Sequence, residues 1–134
     1  FIVQLRPTQP CRTISDIDEC INIFIQNINK YDSLRTVVKI EKSPYKMYNI
    51  ENNILNPLFK QYKDISEPYN QCRQVLPDTY LHNGYIDILN TDIVSKGQIS
   101  GSKIYPYIMK KSDIIDIDTL DDWVKAEKQC INLF

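Results

Sequence analysis

Phe1-Ile2-Val3-Gln4-Leu5 and Leu34-Arg35-Thr36-Val37-Val38-Lys39-Ile40 bracket a stretch in which Ile14, Ile17, Ile21, Phe24 and Ile28 recur at helical spacing. The two flanking runs are apolar and β-branched, so the spacing predicts a strand, an amphipathic helix running to about Asn27, and a second strand. That order within residues 1–40 implies a right-handed parallel crossover and places the chain in the α/β class. Ser15 with Asp18 reads as a capping box at the helix start, and Tyr31-Asp32-Ser33 turns the chain into the second strand. Phe1 to Leu5 reads as a buried strand entered without a preceding turn, which predicts that the chain is the later part of a longer protein. Between strand and helix, Arg6-Pro7-Thr8-Gln9-Pro10-Cys11-Arg12-Thr13 carries two prolines, which remove backbone donors and enforce a loop. Polar loops after strands are where open α/β sheets hold ligands.

Beyond residue 40 the character changes. Ser43-Pro44-Tyr45-Lys46-Met47-Tyr48-Asn49-Ile50, the turn-prone Asn52-Asn53, and Ile54-Leu55 predict a hairpin, and the Tyr-rich stretch to Pro68 has little periodicity. Such a projecting segment, residues 41–72, is expected to pack on a partner subunit or close over a site. Tyr80 to Leu89 reads as a strand interrupted at Asn83-Gly84, where a glycine marks the close approach of a ligand or another backbone. A short helix from Asn90 to Lys96 ends at Gly97. Lys103 to Met109 is a strand in which Pro106 argues for a sheet edge, and Leu120, Trp123, Val124, Ala126 and Ile131 outline a closing helix.

Ser112-Asp113-Ile114-Ile115-Asp116-Ile117-Asp118-Thr119-Leu120-Asp121-Asp122-Trp123 alternates apolar and acidic residues. On a strand this puts Asp116 and Asp118 on one face, roughly 6 to 7 Å apart at Cβ, with the isoleucines facing the core. Two carboxylates so placed repel unless a cation lies between them, and Mg2+, which favours oxygen ligands and substrate phosphates, suits the pair. Helix-start chemistry is the competing explanation, because Thr119 is a good N-cap and Asp121 and Asp122 fall in the first turn, where the macrodipole favours negative charge.

With 134 residues, 43% of them hydrophobic, the chain can build one real core and hardly two. A formal net charge of -1 gives no general attraction to nucleic acid or an anionic membrane, so phosphate binding must come from a few placed cations. Cys11, Cys20, Cys72 and Cys130 are widely spaced with a single histidine, His82, which predicts four free thiols in a reducing cytoplasm rather than a zinc site or disulfide framework. No apolar run approaches the roughly 18 to 20 residues that cross a bilayer. His82 reads as a satisfied polar neighbour of the Asn-Gly bend, since nothing near it in sequence orients it.

Several motifs then occur in one order. Arg6-Pro7-Thr8-Gln9-Pro10-Cys11-Arg12 resembles the Gln-Pro-Thr-Ser-Pro-Leu-Arg loop of the acylneuraminate cytidylyltransferase family, the CMP-sialic acid synthetases and their relatives. Ser43-Pro44-Tyr45-Lys46 is similar to that family's sugar-side lysine segment, and Arg73-Gln74-Val75-Leu76-Pro77 followed by Asn83-Gly84 to its Arg-Gln-x-Leu-Pro and Asn-Gly pair. Asp116-Ile117-Asp118-Thr119-Leu120-Asp121-Asp122-Trp123 with Ala126-Glu127 resembles its Asp-Ile-Asp-Thr-Glu-x-Asp and trailing Ala-Glu.

The resemblance implies a Rossmann-like nucleotidyltransferase sheet with helices on both faces, lacking its N-terminal part. Residues 1–134 would be the C-terminal part of one domain, with 41–72 as a dimerisation and substrate segment. It implies transfer of CMP from CTP to a nonulosonic acid with release of pyrophosphate, in a cytoplasmic homodimer that binds neither nucleic acid nor membrane. Asp116 and Asp118 would hold Mg2+; Arg12 would join them as a catalytic residue; Arg6, Gln9, Lys46, Arg73, Asn83 and Gly84 would contact substrate. The departures are Arg6 in place of Gln, Leu120 in place of Glu, Tyr85-Ile86-Asp87 in place of Ala-Ile-Tyr, and the lack of the family's glycine-rich basic loop. A glycosyltransferase using Asp-x-Asp, and a dimerisation module without catalysis, are the alternatives.

Overall fold

The computed structural model describes residues 1–110 and 115–131. In chain order its elements are β1 (Ile2–Gln4), α1 (Ile14–Asn27), β2 (Ser33–Ile40), β3 (Tyr48–Glu51), β4 (Ile54–Pro57), β5 (Gln61–Tyr62), β6 (Ile65–Ser66), β7 (Thr79–Leu89), α2 (Thr91–Val94), β8 (Ile104–Ile108) and α3 (Leu120–Ile131). They divide into two compact units, Phe1–Val38 with His82–Phe134, and Lys39–Leu81 inserted between them in sequence.

The first unit is built on a mixed sheet in the order β1, β7, β2, β8. β7 runs antiparallel to β1, and β8 parallel to β2. Asn90 N donates to Asp32 O and Ile86 N to Thr36 Oγ1, so numbers fall along β7 as they rise along β2 and these two strands are also antiparallel. β1 and β2 therefore point the same way, as a crossover requires, but β7 lies between them. On one face Leu34, Ile86 and Ile88 pack against Cys20 and Phe24 of α1, with Val3, Tyr105 and Tyr107 around them. Burial, followed by Asp16 and Glu19, pushes the Cys20 thiol up to about 12. The register puts Arg35 and Asp87 on the other face, where Ile2, Ile104 and Ile108 are exposed.

Four expectations need correction. β1 is an edge strand with one neighbour, and Phe1, Ile2 and Leu5 are exposed rather than buried. α1 is capped by Thr13, whose Oγ1 accepts from Asp16 N at 3.2 Å, so Ser15 and Asp18 lie within the helix and form no capping box; Ile14, 79% exposed, drops out of the apolar stripe. Residues 115–117 carry no regular secondary structure and 118–119 form a bend, so the stretch is not a strand; its backbone ties to a loop, Ile117 N donating to Thr8 O at 2.9 Å. The alternation survives, with Ile115 and Ile117 half-buried and Asp116 and Asp118 exposed; Ser112, Asp113 and Ile114 lie outside the described residues. Cys11 and Cys130 form a disulfide across 119 positions, leaving Cys20 and Cys72 as the free thiols, because the fold returns α3 to the loop that carries Cys11. That proximity is invisible in spacing.

The second unit contains the expected hairpin of β3 and β4, turned at Asn52 and Asn53 with φ of 52° and 62°. Both positions require the left-handed region that asparagine tolerates best after glycine. A smaller hairpin of β5 and β6 follows, and its two-residue strands are too short to show alternation in sequence. Tyr45 packs on Phe59 and Tyr62 with ring centroids 4.9 Å away in each case. Among the described residues no helix is long and apolar enough to cross a membrane.

Candidate functional site

The loop between β1 and α1 is folded around one guanidinium. Arg12 Nε donates to Tyr85 O at 2.5 Å, Nη2 to Arg6 O at 2.7 Å, and Nη1 to Gln9 O, while Cζ lies 5.7 Å from the centroid of the Tyr85 ring. With three of its five N–H donors spent on carbonyls, Arg12 anchors the loop to β7. Burial lowers its pKa, and the charges of Tyr85 and Asp116 oppose that shift. Tyr85 itself donates from its hydroxyl to Asp16 and accepts from Thr13 N, both at 2.9 Å, so the helix start and the strand share one phenol.

Gln9 is 2% exposed; its Nε2 donates to Asn83 O, and its Oε1 is buried without a partner. Asn83 Oδ1 accepts from Tyr85 N at 3.2 Å and from Thr36 Oγ1 at 2.7 Å, so its side chain is spent on shaping the bend in β7. Gly84 has φ of +66°, and a Cβ there would lie 2.8 Å from Arg6 Nη1. The glycine lets Arg6 lie flat across the strand. Five of the sequence-derived candidates, Arg6, Gln9, Arg12, Asn83 and Gly84, thus form one connected arrangement at the end of β1.

Asp116 and Asp118 reach this loop through the hydrogen bond from Ile117 to Thr8, and Asp116 is near enough for its charge to act on Arg12. Both carboxylates are exposed. Among the described residues no group of three or more His, Cys, Asp or Glu could hold a metal ion. Two carboxylates fit Mg2+, which keeps several waters and takes its remaining ligands from substrate phosphates. Asp122 belongs to the helix start instead: it accepts from Thr119 Oγ1 at 2.7 Å and Thr119 N at 3.2 Å while its own N–H donates back to Thr119 Oγ1, a reciprocal cap.

Sequence reasoning missed three residues beside this loop. Asp87, 2% exposed on β7, accepts from His82 Nε2 at 2.8 Å and lies 3.5 Å from Arg6 Nη2 and 3.6 Å from Arg35 Nε. His82 therefore does have an orienting partner, and because a carboxylate only accepts, its Nε2 carries the hydrogen. The signal in sequence was a lone acid, Asp87, within the otherwise apolar run from Tyr85 to Leu89. Lys46 and Arg73 belong to the second unit. Lys46 Nζ lies 3.4 Å from Tyr69 O, and Arg73 is exposed beside a small polar cleft lined by Ser43, Leu76 and Asp78.

Fold and site together define a mixed α/β protein whose strand-to-helix loop gathers guanidiniums, amides and a carboxylate pair from distant parts of the chain. The chain matches no family model and no curated protein.

Proposed function

We propose that this chain belongs to a cytidylyltransferase that transfers CMP from CTP to a nonulosonic acid and releases pyrophosphate, on a Rossmann-like nucleotidyltransferase fold. The observation that carries the reading is the hydrogen bond from Ile117 to Thr8, which sets Asp116 and Asp118 beside the Arg6 to Arg12 loop. Carboxylates suited to a divalent ion and guanidiniums suited to acidic ligands then meet, although more than a hundred positions separate them.

The reaction joins two anions, and a nearly neutral chain must do so with placed charges. The anomeric hydroxyl of the sugar attacks the α-phosphorus of CTP; the new C–O–P linkage forms, the bond to the bridging oxygen breaks, pyrophosphate leaves, and the hydroxyl proton passes to solvent. Asp116 and Asp118 would hold Mg2+, whose chemistry when bound is to neutralise charge on the phosphates. Arg12 keeps the loop in place and Arg6 meets the acid sugar, while Lys46 and Arg73 would supply cations to the site of the neighbouring subunit. A homodimer in the cytoplasm completes the proposal. There the Cys11–Cys130 bond faces a reducing thiol pool, so its survival is a measurable property.

The test is pyrophosphate release by the full protein from CTP and a panel of nonulosonic acids with Mg2+. Release dependent on one acid supports the reading, and none with any acid rejects it; transfer from a nucleotide-sugar donor would support the glycosyltransferase alternative. Asp118→Asn keeps the side chain's shape and removes its charge, and is expected to lower release by about 100-fold or more with an unchanged melting temperature. Undiminished release by that variant would remove Asp118 from the site.

A further inference from the structure

Arg35, His82 and Asp87 take no part in the transfer just described, yet with Arg6 they form a charged cluster around one buried carboxylate. A buried Asp needs a counter-charge, and one guanidinium suffices. Here there are two, so one positive charge is left over even with His82 neutral. Both contacts with Asp87 are long: Arg6 Nη2 donates at 3.5 Å and Arg35 Nε lies 3.6 Å away, against about 2.7–2.9 Å for a short charge-assisted hydrogen bond. Arg35 Nε is buried with no hydrogen-bond partner, while the side chains of Arg6 and Arg35 remain 40% and 28% exposed. The cluster holds two forks at either side of a fixed carboxylate and leaves donors open toward solvent.

The backbone is shaped to the same end. Gly84 leaves the space that Arg6 occupies, and the register sets Arg35 of β2 across from Asp87 of β7. Arg12 donates to the carbonyl of Arg6, so the residue that anchors the loop also fixes where the Arg6 side chain starts.

We propose that Arg6 and Arg35, held apart by buried Asp87, form an anion-binding specificity site that takes the carboxylate of an acid sugar. Asp87 and His82 are positioning residues that orient the guanidiniums. The class of ligand rests on the cytidylyltransferase reading; the anion preference rests on the charge count and the open donors.

The experiment is calorimetric titration of the full protein with N-acetylneuraminic acid and with its methyl ester, in which one added methyl group removes the carboxylate charge. The acid is expected to bind about tenfold or more tightly than the ester, as one lost charge-assisted hydrogen bond implies. Arg6→Gln and Arg35→Lys should each bring the two ligands to within a few-fold of one another. Asp87→Asn should weaken the acid more than the ester; because that change leaves two guanidiniums facing each other and risks the fold, Arg35→Lys carries the test by itself. Equal binding of acid and ester, no binding of either, or a preference that persists in the Arg6 and Arg35 variants would each overturn the site. The outcomes separate from those of the enzyme assay. Acid-selective binding lost in the variants without pyrophosphate release leaves this site standing and removes the transferase reading, whereas release with no acid preference does the reverse.

Discussion

Arg12 shows how far a residue's type can mislead about its work. Its place in a loop of arginines suggests contact with substrate, while its donors go to three backbone carbonyls belonging to Arg6, Gln9 and Tyr85. Lysine keeps the charge and has three donors, but they radiate from one nitrogen and cannot match acceptors arranged around a planar fork of three. Arg12→Lys is therefore expected to cost about 2–4 kcal/mol of unfolding free energy, read as a shift of the urea midpoint, with a change below about 0.5 kcal/mol refuting the anchor role. The site was legible in sequence to the extent that motifs name positions: Arg6, Arg12, Asn83 and Gly84 do lie together. Asp87 was not, because its partner Arg6 is 81 positions away and only the pairing of β7 brings the two within reach. His82 was set aside for a different reason: its acid is only five positions on, but alternation around the Asn83-Gly84 interruption does not show that the two side chains meet.

Elements in this fold are held at their ends by single polar groups. Asp32, just before β2, accepts from Ser102 N at 2.8 Å and Lys103 N at 2.9 Å and so fixes where β8 begins. Those two N–H donors favour the ionised carboxylate and hold its pKa below the ordinary 3.8. The depressed value means that the stabilisation is fully present above the unfolded-state pKa and is lost as pH falls through the folded value. Asp32→Asn should make stability less sensitive to acid in the window below pH 3.8, measured by urea titration at stepped pH; an unchanged slope would remove Asp32 from the acid limb. At the other end of the unit, α3 buries only Ala126 among its described residues and is tied back by the Cys11–Cys130 bond. Cys130→Ser is expected to cost about 2–5 kcal/mol under non-reducing conditions and to speed amide exchange across residues 120–131 while α1 stays protected. Unchanged exchange there would mean that packing alone holds the helix. Long periodic runs such as α1 and β2 could be read from sequence because burial of one face imposes the period. The end of the acidic stretch could not: its alternation is real, but a loop carbonyl rather than a neighbouring strand satisfies its backbone, and periodicity does not report the partner.

For the whole molecule the open matter is what covers the hairpin of β3 and β4. Ile50 and Leu55 are cross-strand partners on one face, flanked by Tyr48 and Pro57, and they are 73% and 59% exposed. The register puts Asn49 and Asn56 opposite each other on the reverse side, so the hairpin has one apolar and one more polar face. A two-stranded hairpin is marginal in water unless its apolar face is buried, and an exposed apolar face of this kind marks an interaction surface. The proposed homodimer supplies a cover of matching chemistry, because a two-fold axis brings the same face from each subunit together. The full protein should then sediment as a dimer at micromolar concentration. Ile50→Glu and Leu55→Glu place a charge at the centre of the face, where desolvation has no compensating partner, and each should weaken association by about 100-fold or more, on the order of 3 kcal/mol. Asn49→Glu, on the reverse face, should leave association unchanged. A monomer at all concentrations, or a dimer indifferent to Ile50→Glu, would assign the hairpin to some other partner and remove the homodimer from the proposed mechanism.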